Sequence, residues 1–462
     1  MQRKWIIGGA LAGVLAALSP GTLFILLLSG IFLLILRRCS APEDRRFVTG
    51  LFVAGLLARM ALSVGLDIGS RLAEGEGPAR LGPVHGWELN IRDRTRSYLK
   101  LGDSDFYSDR AYALAEYARG GREAVLLVSM KKPRPHGYLY AMGSFYYLFG
   151  FSPISVKFLN CLIGALMGPL LFFLAQACFD RWVGRVSSLL VTFLPSLMLW
   201  SASNLKDPVF ITLTTFLFLL LIKIQLARTP WQGLRCVALL VPAALIHMTL
   251  RSDTGFSWAL LGCAALCYVL ARIHWLGRLG IGAAAGWLIA SRWTQFFEKV
   301  AFAFYRHLGN VDAVSTPNSM TYHYLPAPFY VGGVDIFAEA AKMRTDFPAI
   351  LTTLGKAVSH YLLEPTPARM GTSSLVMIHP QMMVWYALLP FAVVGTFLSF
   401  GRNFRRSGFL AATLAVWILI GALASGNIGL LFRVRDMVTP FIIVVAVAGL
   451  CWCLRPQPGT SA

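Results

Sequence analysis

Apolar residues along the chain are gathered into long runs, which short arginine-rich segments separate. The approximate bounds of these runs are 5–18, 22–36, 47–66, 153–178, 183–203, 208–227, 236–250, 254–271, 279–291, 382–400, 408–425 and 440–454. An α-helix needs about 20 apolar residues to cross a bilayer, and most of the runs approach that length. The pattern therefore predicts an all-α polytopic membrane protein with about twelve transmembrane helices.

The first two runs are separated only by Ser19-Pro20-Gly21. We interpret them as a tight hairpin of two short spans, with one long, steep helix as the alternative. Two polar stretches interrupt the pattern and are interpreted as large loops. The predicted organisation is N-terminal transmembrane helices (1–66), a first loop (67–152), further transmembrane helices (153–291), a second loop (292–381), and C-terminal transmembrane helices with a short tail (382–462).

The composition excludes a soluble domain, because 56% of the 462 residues are hydrophobic and only 14% are charged, against about 25% charged in soluble proteins. The net charge of +20 is concentrated in the short segments between apolar runs. Lys and Arg stay on the cytoplasmic side, so we expect topology rather than nucleic-acid binding to explain the charge. This predicts a multi-pass protein of the inner (plasma) membrane with a cytoplasmic N-terminus and two extracytoplasmic loops.

An acidic motif in the first loop is the first candidate for chemistry. Asp103 and Asp105 precede Ala111–Ala118, which has the pattern of a helix. One interpretation is that either acid only caps this helix. The other is that one of them is a general base, ionised by the helix N-terminus and directed at a hydroxyl group.

Cations at the outer membrane boundary are candidates for binding a phosphate of a lipid. They are Lys206, Arg251, Arg433 and Arg435. Guanidinium groups bind phosphate in a bidentate manner. The alternatives are snorkelling for Lys206, a local ion pair for Arg251 and interfacial anchoring for the last two. Arg59 lies within a span, where a charge is either functional or paired with a neighbour.

Metal binding is not expected. His323, His360 and His379 are scattered through the second loop, and the eight cysteines show no zinc-type spacing. The predicted chemistry needs no cofactor, and a divalent metal is a minor alternative.

Three stretches resemble a known superfamily in their order and spacing. They are Asp103-Ser104-Asp105-Phe106-Tyr107 with Ala111 beyond, Tyr138-Leu139-Tyr140 through Tyr146-Tyr147-Leu148-Phe149-Gly150 to Lys157-Phe158-Leu159-Asn160, and Leu205-Lys206-Asp207-Pro208. Together they resemble the GT-C superfamily of membrane glycosyltransferases, nearest to glycosyltransferase family 39 and the protein mannosyltransferases. The later Asn427-x-Gly429, Arg433-x-Arg435 and Pro440 are similar to membrane proteins of exopolysaccharide clusters.

The resemblance implies that an Asp in the first loop is the catalytic base and that the donor is a polyprenyl-phosphate-linked sugar. The role falls on Asp103 or Asp105, and Asp103 is preferred because its spacing from Tyr107 fits the family pattern. The chain departs from the family in one respect. The large loop follows the third predicted span here, whereas it usually follows the first.

The sequence therefore predicts a glycosyltransferase that transfers sugar from a polyprenyl-phosphate donor to a hydroxyl of a glycan, lipid or protein. The reaction would take place at the extracytoplasmic face, among membrane lipids, in the synthesis of cell-surface polysaccharide or glycoconjugate. One alternative is a polysaccharide polymerase or ligase that uses a lipid-pyrophosphate glycan. Another is a flippase or transporter of a lipid-linked glycan, which the concentration of polar residues in outer loops disfavours.

Overall fold

The computed structural model describes residues 19–73, 102–120, 137–251, 256–272, 275–292, 295, 347–364, 379–401, 404–424 and 428–454. These residues form helices and the turns between them. Contacts within the chain divide it into two units, Met1–Ser252 and Asp253–Ala462.

The first unit contains nine described helices. They are α1 (Pro20–Cys39), α2 (Arg45–Ala73), α3 (Gly102–Ala118), α4 (Gly137–Phe149), α5 (Pro153–Cys178), α6 (Arg181–Thr192), α7 (Pro195–Ser201), α8 (Asp207–Gln225) and α9 (Pro230–Leu250). Prolines stand in the first turn of five of them, where the missing N–H has no intrahelical partner to lose.

Central in the first unit is α5, which packs against α2, α6 and α8. Its buried face includes Leu162, Leu171 and Phe172, none of which is exposed. Helices α6 and α7 meet at an angle of 59°. Pro195 explains the break, because proline cannot continue the hydrogen-bond ladder of the preceding helix. The predicted span at 183–203 is therefore a bent pair.

The two ends of the first unit are marked by ion pairs. At one end, Asp44 between α1 and α2 accepts from Arg181 Nε at 2.5 Å and from Arg185 Nη2 at 3.0 Å. At the other end of α2, Asp67 pairs with Lys157 at 3.0 Å. If the N-terminus is cytoplasmic, the short segments 37–46 and 179–185 are predicted to be cytoplasmic too, and these ion pairs hold them together.

Seven helices and one π-helical turn make up the described part of the second unit. They are α10 (Phe256–Leu270), α11 (Trp275–Ser291), α12 (Phe347–Leu363), α13 (His379–Gly401), the π turn Phe404–Gly408, α14 (Phe409–Ala424), α15 (Ile428–Asp436) and α16 (Thr439–Leu454). Helices α13 and α16 pack most closely. A Cβ at Gly395 would lie 1.9 Å from the Val445 carbonyl oxygen, so this approach requires glycine.

Within the described residues, six helices are long and apolar enough to cross a membrane, or seven if the bent pair counts as one span. Four further apolar helices match predicted spans but are shorter. The all-helical membrane architecture is therefore confirmed, whereas the number twelve stays a prediction. The first predicted span, 5–18, lies outside the described residues.

Candidate functional site

The acidic motif lies in the first turn of α3. The helix begins at Gly102 rather than near Ala111, as the sequence pattern had indicated, so Asp103 and Asp105 are part of it. Asp103 and Asp105 are the second and fourth residues of the helix. The positive end of the helix dipole favours an ionised carboxylate in this turn.

Two serines next to these acids attach α3 to the turn that follows α7. The backbone N–H of Asn204 donates to the Ser104 hydroxyl at 3.1 Å, and the Asn204 side-chain amide donates to the Ser108 hydroxyl at 2.5 Å. Ser104 and Ser108 are four residues apart and therefore share one helix face. Both are buried, and Asn204 is 0% exposed. The acid-bearing turn is thereby held against the turn that leads to Lys206.

A buried network of polar side chains supports this attachment. The Tyr138 hydroxyl donates to Asn204 Oδ1 at 2.8 Å and accepts from Asn160 Nδ2 at 2.8 Å. Asn160 also donates to the carbonyl oxygens of Ser203 and Leu205, each at 2.9 Å. Burial raises the pKa of Tyr138 well above its ordinary value, so its hydroxyl stays protonated at neutral pH. The network rigidifies the turn because each polar group forms hydrogen bonds with its neighbours.

The cations of the first unit lie beside the same turn. Lys206 is the residue before α8, and Asp207 opens that helix. Asp207 Oδ1 accepts from Arg251 Nη2 at 3.2 Å, and both side chains are largely buried. Arg251 stands at the end of α9. Asp207 is thus one partner of Arg251. The ion pair within its own loop, which the sequence pattern suggested, lies outside the described residues.

Three separate sequence motifs therefore meet in the first unit: the acidic turn of α3, the Asn204–Asp207 turn and the end of α9. Tyr107 belongs to the same region, because its half-buried ring stands edge-on to Tyr138 with centroids 5.4 Å apart. The site-residue predictions themselves are not tested by this geometry. What it shows is that Asp103, Tyr107, Lys206 and Arg251 lie on elements that contact one another.

Arg433 and Arg435 lie in the second unit, on α15, and their environments differ. Arg435 is buried and donates through Nη1 to the carbonyl oxygens of Tyr361, at 3.3 Å, and Glu364, at the end of α12. Trp385 and Tyr386 donate to the carbonyl oxygens of the two residues that lie between Tyr361 and Glu364.

Side chains from other helices thus complete the C-terminus of α12, where four carbonyls lack intrahelical donors. Burial lowers the pKa of Arg435 from its ordinary value. Arg433 is only partly buried. Of the two, Arg433 is better placed to reach a ligand.

Arg59 is buried completely in the middle of α2. Its Nη1 donates to the Gly55 carbonyl oxygen at 3.1 Å. Among the described residues, its Nε and Nη2 have no hydrogen-bond partner, and no carboxylate pairs with it. The interpretation as half of an ion pair thus finds no support in the described part of α2 and its neighbours.

A metal site was not expected from the sequence. The described residues include no group of three or more His, Cys, Asp or Glu side chains that could hold a metal ion. His323 lies outside these residues.

Sequence reasoning named Asp103 and Lys206 but missed the residues that join them. Ser104, Tyr138 and Asn160 lie in the stretches that carry the resemblance, but neither they nor Ser108 and Asn204 were assigned a role. The spacing of Ser104 and Ser108 was the available signal, since it places two hydroxyls on one face of a helix that begins at Gly102.

Residues 89–246 match the family model described as dolichyl-phosphate-mannose-protein mannosyltransferase. The matched segment contains the acidic motif of α3, the buried network and Lys206, but not Arg251, Arg433 or Arg435. No curated protein and no solved structure matches the chain. The match confirms the resemblance to protein mannosyltransferases. With the membrane-type helices, it indicates a membrane glycosyltransferase.

Proposed function

We propose that the protein transfers a sugar from a polyprenyl-phosphate donor to a hydroxyl acceptor at the extracytoplasmic face of the plasma membrane. The observation that carries this proposal is the pair of hydrogen bonds from Asn204 to Ser104 and Ser108. They bring a turn with two acids against a turn with a lysine. Base and cation chemistry are thereby available at one place.

In the proposed reaction, a carboxylate of Asp103 or Asp105 accepts the proton of the acceptor hydroxyl. The hydroxyl oxygen forms a bond to the anomeric carbon, and the bond from that carbon to the phosphate oxygen breaks. The electron pair leaves on the polyprenyl phosphate. General-base assistance of this kind contributes about 10²–10⁴-fold to a rate.

The departing phosphate gains negative charge, so a cation beside it stabilises the transition state more than the ground state. Lys206 is the proposed cation in the first unit, since it directly precedes the helix whose Asp207 pairs with Arg251. Arg433, in the second unit, stays a phosphate ligand predicted from the sequence alone. The membrane-type helices suit a donor with a long apolar chain.

The test is transfer in proteoliposomes that contain the purified protein and a synthetic polyprenyl-phosphate-mannose with labelled mannose. A cell-envelope fraction supplies hydroxyl acceptors. We expect time-dependent incorporation of label into acceptor material, with release of polyprenyl phosphate in equal amount. Heat-inactivated protein in the same vesicles is the control.

Two other outcomes would identify other functions. Transfer only from a lipid-pyrophosphate glycan would indicate a polymerase or ligase. Movement of a labelled lipid-linked glycan between leaflets, without transfer, would indicate a flippase. The chemical identity of the labelled product tests the proposed role in the synthesis of cell-envelope polysaccharide or glycoconjugate.

A further inference from the structure

An open groove of about 670 Å³ lies where α1 turns into α2. Three arginines line it, Arg37 at the end of α1 and Arg45 and Arg46 at the start of α2. Leu33 and Val53 form its apolar walls. The groove therefore has a cationic end at the helix termini and an apolar end along the helices.

The acids of this turn do not neutralise the groove. Glu43 and Asp44 both pair with Arg181, and Asp44 also accepts from Arg185 at 3.0 Å. Asp44 is 2% exposed, so its carboxylate faces these arginines rather than the solvent.

The groove arginines are left with their positive charge. Within the described part of the chain, Arg37, Arg45 and Arg46 form no ion pair. The Nε of Arg45 is buried and has no hydrogen-bond partner there. A buried donor without a partner costs free energy.

The apolar walls continue into the surface that faces the lipid in a membrane-spanning hairpin. Leu34 on α1 is 62% exposed and Leu57 on α2 is 61% exposed. A phospholipid has the matching shape, with a phosphate above two acyl chains. Basic pockets between transmembrane helices bind anionic head groups, and guanidinium groups bind phosphate oxygens in a bidentate manner.

We propose that this groove binds an anionic glycerophospholipid of the bilayer. Arg37, Arg45 and Arg46 hold the phosphate, and the acyl chains lie along Leu33 and Val53. The groove is at the opposite end of α2 from Asp67, about 33 Å away at 1.5 Å per helical residue. Asp67 pairs with Lys157 at the end that leads to the candidate site, so the proposal is independent of the proposed function.

The test measures the melting temperature of the full-length protein in neutral detergent. The probes are short-chain phosphatidylglycerol, short-chain phosphatidylcholine and inorganic phosphate at equal concentrations. We expect phosphatidylglycerol alone to raise the melting temperature of the wild-type protein, because a ligand that binds only the folded state stabilises it. An equal rise with inorganic phosphate would indicate a free-anion site, and an equal rise with phosphatidylcholine would indicate unspecific lipid contact. Either result overturns the proposal.

Variants identify the groove. Arg46→Gln changes an exposed side chain and should weaken phosphatidylglycerol binding about ten- to hundredfold, since one charge-assisted interaction is lost. The triple variant Arg37→Gln, Arg45→Gln and Arg46→Gln should show no shift. Arg38→Gln is the matched control, because Arg38 is in the same segment but does not line the groove. An equal loss of phosphatidylglycerol binding in Arg38→Gln would show that binding depends only on the total charge of the segment. That result would contradict the site.

If the triple variant does not fold, native mass spectrometry of Arg46→Gln and Arg38→Gln tests whether lipid binding depends on the groove. The wild-type protein and Arg38→Gln should retain co-purified anionic lipid that Arg46→Gln has lost. Equal retention by both variants would contradict the site.

Discussion

The backbone amide of Asn204 donates a hydrogen bond to the hydroxyl of Ser104 at 3.1 Å, although the two residues are 100 positions apart. Ser104 stands between the two acids of the motif, and Asn204 stands two residues before Lys206. This contact holds the acidic helix against the turn that carries Lys206.

The first prediction concerns the base. Asp103→Asn removes the proton acceptor but leaves a side chain of the same size. If Asp103 is the base, transfer should fall about 10²–10⁴-fold while thermal stability stays near that of the wild-type protein. Asp105→Asn is the control, and a large loss there with none at 103 would exchange the assignments. Normal transfer in the double variant would remove the general base from this motif.

The second prediction concerns Asn204 as a positioning residue. Asn204→Ala removes the amide that contacts Ser108 and Tyr138, and it leaves a buried phenol without its acceptor. We expect a stability loss of about 1–3 kcal/mol, and a fall in kcat larger than any rise in KM, since the acid turn loses its alignment.

Ser203→Ala is the matched control for Asn204→Ala, because that hydroxyl bonds within its own turn, to the Leu199 carbonyl oxygen. It should leave both kcat and KM almost unchanged. A stability loss in Asn204→Ala with normal kcat would make Asn204 purely structural.

The third prediction concerns the buried pair of Asp207 and Arg251. Asp207→Asn and Arg251→Gln should each destabilise the protein by about 3–5 kcal/mol, because removal of one partner leaves the other charge buried. The double variant should lose less than the sum of the two. Unfolding in detergent of the two single variants and the double variant gives the coupling energy.

The exposed pair of Glu116 and Arg119 supplies the comparison, with side chains 29% and 38% exposed. Its coupling should be about 0.2–1 kcal/mol. Additive losses at Asp207 and Arg251 would show that their contact contributes nothing to stability.

The fourth prediction separates the two arginines of α15. Arg435→Gln should reduce stability, because Arg435 completes the end of α12. Arg433→Gln should instead raise the apparent KM for the lipid donor about ten- to hundredfold, with a smaller stability loss. Donor titrations and melting curves of both variants measure these effects. Unchanged donor dependence in Arg433→Gln would favour interfacial anchoring.

The fifth prediction concerns orientation. Cys39 is exposed in a segment predicted to be cytoplasmic, and Tyr117 is 53% exposed on α3. A membrane-impermeant maleimide applied to intact cells should label Tyr117→Cys but not the wild-type protein. Permeabilised cells should also show labelling at Cys39. Labelling of Cys39 in intact cells would invert the topology and move the candidate site to the cytoplasm.

The local pattern of residues was sufficient to predict most helices. The run 153–178 coincides with α5, and 208–227 differs from α8 by one or two residues at each end. Such agreement is expected, because a long apolar run in a membrane must form a helix to satisfy its backbone, and proline and aspartate mark where helices begin. The acidic motif and Lys206 could be recognised for the same reason, because each is defined by residues that are adjacent in the sequence.

Tertiary structure decided which of these residues meet. The sequence contains no sign that Ser104 contacts Asn204, that Arg251 pairs with Asp207, or that Arg435 is buried at the end of α12. These contacts join residues that are between 44 and 100 positions apart in the sequence. The hydrophobic pattern determines that a helix forms and which segments leave the membrane, whereas side-chain pairing depends on how helices pack against one another, and packing is a property of the assembled chain.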